Sequence, residues 1–171
     1  AGKDGMDELD GRVAIVTGAG RGLGREHARF LAARGVRVVV NDLGVGPDGS
    51  GADPAPADEV VAELRDGGGQ AVAAYDDVAD WAGAKRVVDA AVTAFGELDI
   101  VVNNAGILRD STIVNMGEDD FDDVVRVHLK GHAATTKWAA SYWREQHKLG
   151  VRRPRNLVHT SSTSGLIGNF G

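Results

Sequence analysis

The sequence predicts a doubly wound α/β fold, a parallel sheet with helices on both faces. Three observations carry that expectation. Five short, near-continuous apolar runs recur along the 171 residues, and unbroken apolar strands imply burial on both faces of a sheet. Helical stretches separate these runs. A glycine-rich turn stands where the first strand meets the first helix, the place where such folds receive phosphates.

The first strand is read over 12–18 (RVAIVTG), a run of Val, Ala and Ile. A helix over 22–34 follows, with Leu23, Phe30 and Leu31 on one stripe and Gly35 as its stop. The second strand, 36–42 (VRVVVND), ends in Asn41–Asp42. Residues 44–56 (GVGPDGSGADPAP) read as a mobile surface loop, and Val60, Val61 and Leu64 mark a second helix ahead of the glycines at 67–69. A weaker third strand covers 71–77 (AVAAYDD). The third helix, 80–95, carries Trp81, Val87, Val88, Ala91, Val92 and Phe95 before Gly96. The fourth strand, 98–106 (LDIVVNNAG), is strong. A long helix then runs from about Gly117 to Gln146, capped by Asn115 or Gly117, with Glu118 in its first turn. The fifth strand is 155–162 (RNLVHTSS). The order β-α-β-α-β-α-β-α-β makes three layers, α/β/α, without internal repeat or domain linker. The five residues before Met6 (AGKDG) read as a leader outside the fold.

Composition narrows the function. The length suits one domain, and 43% hydrophobic with 26% charged residues is ordinary for a globular protein. A net charge of −6 argues against non-specific nucleic-acid binding, and Arg152, Arg153 and Arg155 around Pro154 read as a solvated loop. Without cysteine there is no disulfide framework, Cys-based metal site or thiol nucleophile, which agrees with the expected cytoplasmic location. No apolar run approaches the roughly 18 residues of a membrane span, and no secretory signal is visible. The five histidines show no convergent ligand spacing, so no metal is expected.

Within TGAGRGLGREHARF (17–30), Gly18, Gly22 and Gly24 are spaced G-x-x-x-G-x-G. Glycines here let the backbone approach a pyrophosphate, and the helix N-terminus offers free N–H groups and the positive end of its dipole. Asp42 closes the second strand 24 residues beyond Gly18. A carboxylate there accepts hydrogen bonds from the adenosine ribose and repels a 2′-phosphate. Arg21 pulls the other way, since a guanidinium pairs with that phosphate. Asp42 would lie directly against the ribose and Leu43 beside it adds no positive charge, so NAD(H) is expected over NADP(H).

T-G-x-x-x-G-x-G (17–24) together with N-N-A-G (103–106) resembles the signature of the short-chain dehydrogenases/reductases, and the resemblance covers the chain after Met6. It implies a Rossmann fold and a hydride-transferring enzyme. Gly18, Arg21, Gly22, Leu23 and Gly24 would contact the cofactor phosphates, and Asp42 the ribose. Asp77 and Val78 would contact adenine, while Asn104, Ala105 and Gly106 line the nucleotide between adenine and nicotinamide. Asn103 reads as a tie between neighbouring strands. The stretch Ser161–Ser162–Thr163–Ser164–Gly165 matches the family's S-S-x-x-G and singles out Ser162, which would hydrogen-bond the substrate carbonyl or carbinol oxygen. Ser161 would face the sheet interior, and Ser164 reads as a turn residue.

The family's Tyr-x-x-x-Lys acid/base pair would fall beyond Gly171, and neither Tyr75 nor Tyr142 stands in for it. Such a proton-transfer group contributes typically about 10²–10⁴ in rate. The 171 residues are therefore expected to be the N-terminal portion of a longer polypeptide, inactive alone, with the fifth strand left at the sheet edge. One departure stands in VHLKG (127–131), where His128 occupies the position of a family asparagine. Phe121, Val124, Val125, His128, Leu129 and His132 recur at three and four, marking one inward face. His128 is either a satisfied core histidine or the support of a proton-relay water; His132 reads as structural.

NNAGILRDSTI (103–113), RVHLKGHAATTKWA (126–139) and GLIGNFG (165–171) resemble the hydroxyacyl-CoA dehydrogenase portion of the multifunctional β-oxidation enzymes, a branch that also carries the histidine. That resemblance implies oxidation of a (3R)-3-hydroxyacyl-CoA to the 3-oxoacyl-CoA with NAD⁺. The alternatives are a dehydrogenase/reductase of a steroid or other secondary alcohol, and a non-catalytic NAD-binding partner subunit. The family's habit of pairing its long helix with a second copy implies a homodimer or homotetramer, with Trp138, Tyr142 and Trp143 at that surface; packing inside the chain is their other reading.

Overall fold

The computed structural model describes residues 8–45, 51 and 53–168. The leader at 1–5, part of the 44–56 loop and the Asn169–Gly171 end of the last motif lie outside the described residues.

Strands β1 (Val13–Thr17), β2 (Arg37–Asn41), β3 (Ala71–Ala74), β4 (Ile100–Asn103) and β5 (Asn156–His159) form one sheet in the order β3-β2-β1-β4-β5. Every pairing is parallel, and Ile15 lies opposite Val39 on one side and Val101 on the other. The helices are α1 (Gly22–Ala32), α2 (Ala55–Asp66), α3 (Trp81–Phe95), α4 (Glu118–Val124), α5 (Gly131–Lys148) and the single turn α6 (Ser164–Ile167). The chain runs outward from β1 to β3, then crosses back to β4, so the switch point lies between β1 and β4. Ligand crevices of open α/β sheets form there, beyond the carboxyl ends of the strands.

Because side chains alternate along a strand, β1 and β2 feed two separate cores. Ala14, Val16, Val38 and Val40 pack with Ala28, Leu31, Val60 and Leu64 of α1 and α2. Val13, Ile15, Val39 and Val101 pack on the other face with Val87, Val88, Ala91 and Ala139 of α3 and α5. The expected three-layer parallel fold stands.

Several details differ from expectation. In α1 the buried residues are Gly24, Ala28 and Leu31, whereas Leu23 is 66% and Phe30 53% exposed. Each lies one position before a buried residue, about 100° around the helix at 3.6 residues per turn. The Arg34 guanidinium covers the Phe30 ring instead, 3.4 Å from its centroid. The long helix is also not continuous: a π turn over Val125–Lys130 separates α4 from α5. A π turn shifts the angular register, so the stripe drawn from Phe121 to His132 does not hold. Phe121 and Leu129 are exposed, and Val124, Val125, His128 and His132 are only half-buried. Gly117 is the cap, as one of the two candidates.

At the amino ends of the strands, Asp99 is fully buried. It accepts from the Val13 amide at 3.0 Å and pairs with Arg155 and with Arg153, which also reaches Glu97. Arg153 and Arg155 are thus not a solvated loop but the staple that ties β1, β4 and the entry to β5. Trp138 and Trp143 donate from their indole nitrogens to Trp81 O (2.9 Å) and Leu98 O (2.7 Å), and both pack with Tyr142 on the second core. Of their two readings, packing inside the chain accounts for these contacts. β5 lies at the sheet edge with Leu157 and Val158 exposed. Ser161 is exposed rather than facing the sheet, because the strand ends at His159 and the chain turns into α6.

Candidate functional site

The β1–α1 turn is built by close approach. Gly18 has φ +62, and a Cβ there would stand 2.8 Å from Ala105 Cα. A Cβ on Gly24 would stand 2.1 Å from Gly18 O, so only glycine lets the first turn of α1 sit on the loop before it. The result brings the amino end of α1 beside the turn that follows β4. The first turn of α1 holds no acidic residue, which leaves the dipole's positive end uncompensated by the helix itself.

Thr17 closes the arrangement. Its Oγ1 accepts from the amides of Asn104 (2.9 Å) and Ala105 (3.0 Å). The Asn104 side chain returns two bonds, donating to Thr17 O (3.1 Å) and Gly18 O (3.2 Å). Sequence reasoning passed over Thr17 although it opens the T-G-x-x-x-G-x-G motif. Asn103 is buried and ties β4 both to α5 and to the neighbouring strand β5: it accepts from Thr135, donates to Thr136 Oγ1 at 3.2 Å, and its Nδ2 stands 3.4 Å from His159 Nδ1. A second strand-to-strand tie comes from Asn41, which donates to Ala74 O (3.1 Å) and Asp76 O (3.0 Å).

At the end of β2, one oxygen of Asp42 accepts from the Gly20 amide and the other from the Gly44 amide, both at 2.7 Å. A carboxylate has about four lone-pair sites, so acceptor capacity remains on both oxygens while their positions are held. Asp77, after β3, accepts from the Ala79 amide at 2.8 Å and pairs with Arg126 at 2.9 Å.

A cavity of about 260 Å³ gathers these groups at the switch point. Gly18 and Arg21 enter it from the first turn, Asp42 from β2, Asp77 and Val78 from the loop after β3, and Asn104, Ala105 and Gly106 from the turn after β4. The lining residues that were not expected include the charged Asp76, Arg109, Asp123 and Arg126. No single motif flags them; only the fold brings residues 109, 123 and 126 beside residue 77. Gly22, Leu23 and Gly24 are not in the wall. Gly24 is buried under the turn and Leu23 faces outward at the helix start.

Ser162 and His128 also lie outside the cavity wall. Ser162 is exposed, and its Oγ accepts from the Ser164 amide at 3.2 Å. The end of its strand is anchored where the Thr160 amide donates to Asn103 O at 2.9 Å. His128 Nε2 stands 3.1 Å from the Ile107 amide and 2.9 Å from its carbonyl. Gly106 lies so close to the ring that a Cβ would be 2.5 Å from His128 Cε1. His132 follows one turn later, half-buried. Its buried Nε2 has no partner among the described residues. The His159 ring centroid is 5.5 Å from that of His132, and the His128 centroid 6.5 Å. Burial pushes the His132 imidazole below its ordinary range, His159 and His128 push it the same way, and the Ala105 backbone opposes them. Among the described residues no three side chains are grouped to hold a metal ion. None of the described helices is long and apolar enough to cross a membrane.

A family model described as short chain dehydrogenase matches residues 12–171. The chain is 50% identical over 168 residues to the peroxisomal multifunctional enzyme type 2 of Drosophila melanogaster, covering 98% of this chain and 27% of that protein. It is 45% identical over 166 residues to the hydroxyacyl-CoA dehydrogenase ChsB1 of Mycobacterium tuberculosis, covering 96% of this chain and 51% of that one. The structure superposes on a short chain dehydrogenase from Mycobacterium avium with a TM-score of 0.89 and 53% identity, covering 96% of this chain and 58% of that one. The chain thus spans about a quarter to about half the length of these relatives. With the glycine turn, the Asn103–Gly106 turn and the parallel sheet all in the matched span, the chain belongs to the short-chain dehydrogenase family.

Proposed function

We propose that the chain forms the cofactor-binding portion of an NAD(H)-dependent oxidoreductase that interconverts a secondary alcohol and a ketone, the alcohol being a 3-hydroxyacyl-CoA. The observation that carries the proposal is the single cavity at the switch point, into which Gly18, Asp42, Asp77 and the Asn104–Gly106 turn all open. The residues suit a dinucleotide. The turn from Gly18 through Arg21, Gly22, Leu23 and Gly24 and the amino end of α1 would receive the pyrophosphate. Asp42, held by two amides, would accept from the ribose hydroxyls and face a 2′-phosphate with like charge, favouring NAD(H). Asp77 and Val78 would border adenine, and Asn104, Ala105 and Gly106 the floor toward the nicotinamide. When bound, that cofactor supplies the hydride acceptor or donor.

Ser162 is the residue proposed to touch substrate. Its Oγ accepts from the Ser164 amide, which leaves the hydroxyl proton to donate to the carbinol or carbonyl oxygen. His128, bonded to Ile107 and packed on Gly106, supports the floor of the site; of its two readings, the satisfied histidine fits those contacts. The acyl-CoA substrate is supported by the hydroxyacyl-CoA dehydrogenase relative and by the multifunctional relatives. A homodimer or homotetramer in the cytoplasm completes the proposal, though the multifunctional relatives carry peroxisomal in their names.

The test is NADH formation by the full-length protein from NAD⁺ and a (3R)-3-hydroxyacyl-CoA. Turnover is expected, and Ser162→Ala should lower kcat about 10²-fold, as loss of one donor to a reacting oxygen does. Turnover of steroid alcohols without turnover of the acyl-CoA would overturn the substrate assignment.

A further inference from the structure

Arg126 stands in the π turn two residues before His128, and the proposed chemistry does not use it. Its Nη1 lies 2.9 Å from Asp77 Oδ2 and its Nε 3.7 Å from Asp123 Oδ1. The other Asp77 oxygen accepts from the Ala79 amide at 2.8 Å. The Asp77 carboxylate is therefore gripped from both sides, by an amide of its own loop and by a guanidinium 49 residues away in sequence. Both side chains border the cavity. Their exposures, 46% for Arg126 and 33% for Asp77, make the pair a minor source of stability. What it does control is the orientation and charge of the carboxylate.

The other carboxylates near that end of the cavity are matched in the same way. Asp76 pairs with Arg86 at 2.6 Å and Asp123 with Arg109 at 2.9 Å. The wall thus presents oriented acceptors with little net negative field, which suits a polar base on a phosphate-bearing ligand. Two side chains of the π turn are fastened to opposite walls. Arg126 holds the loop after β3 and His128 the turn after β4.

We propose that Arg126 is a positioning residue for the adenine end of the cofactor. It turns Asp77 so that its free lone pairs accept from the exocyclic amine of a 6-aminopurine. The proposal rests on the NAD(H) reading. It is tested by direct binding titration of the full-length protein with NADH and with reduced nicotinamide hypoxanthine dinucleotide, whose purine carries a 6-oxo group in place of the amine. Wild-type protein should prefer NADH about 10-fold, the discrimination of one hydrogen bond to a charged group. Arg126→Gln should erase most of that preference by weakening NADH alone, and Arg126→Lys should keep part of it. Asp77→Asn combined with Arg126→Gln should lose no more than Asp77→Asn alone. An unchanged preference in Arg126→Gln, equal weakening of both dinucleotides, or additive losses would each overturn the proposal. Wild-type protein that binds neither dinucleotide would overturn the cofactor reading along with it.

Discussion

Replacing Thr17 by Val keeps the shape of a buried side chain and removes its hydroxyl. The amides of Asn104 and Ala105, at 2.9 and 3.0 Å, then lose their acceptor inside the structure. An orphaned buried donor costs about 1–3 kcal/mol. Both amides border the cavity and are partly reachable by water, so the pair should cost about 2–4 kcal/mol in total, toward the lower end of that range. Thr17→Ser keeps the acceptor and loses one methyl, worth about 0.8 kcal/mol. Urea unfolding followed by far-UV circular dichroism separates the two, with a lower midpoint and unchanged slope for Thr17→Val. NADH affinity should fall in parallel, because the Asn104–Gly106 turn is then held to β1 by the Asn104 side chain alone. If Thr17→Val is as stable as Thr17→Ser, the hydroxyl does not hold the two turns together and the reasoning fails.

Three further outcomes are expected. Asp42→Ala should weaken NAD⁺ more than NADP⁺ in parallel titrations; equal weakening would reduce Asp42 to a tie for Gly20 and Gly44. The His132 imidazole sits below the ordinary histidine range, about 6.5, in the folded chain. As pH falls through 6.5 the unfolded chain takes up that proton first, so stability drops from there down to the folded value and recovers as pH rises again. His132→Leu should flatten the stability slope in that window by up to one proton, and an unchanged slope would refute the assignment. Asp99→Asn removes the fully buried charge facing Arg153 and Arg155. Breaking a buried pair costs about 3–5 kcal/mol, and the partial exposure of Arg153 lowers this to about 2–4 kcal/mol. A thermal unfolding midpoint equal to wild type would show that the staple does not bear on stability.

The strands were legible because a parallel sheet buried on both faces writes itself as unbroken Val and Ile: all of Val13–Thr17 and Val38–Asn41 is inaccessible. The caps were legible for a similar local reason. Gly96 takes the left-handed conformation that ends α3, and Gly117 caps the start of α4. The stripe on α1 was misread because size was taken as a proxy for burial. The helix packs by Gly24 and Ala28, whose smallness lets it approach the turn, and the larger Leu23 and Phe30 are left outside. The π turn left no such trace in sequence spacing.

By itself the sequence determined the order of elements, the glycine turn and the residue types within it, since these depend on short-range spacing and on which side chains a buried strand or tight turn admits. Tertiary structure alone decided which charges meet. Asp77 finds Arg126, Asp99 finds Arg153 and Arg155, and Thr17 finds Asn104, across separations of 49 to 87 residues. Such pairings follow from strand order and from the register of a π turn. They depend on where the sheet crosses back between β1 and β4, which no local pattern of residues encodes.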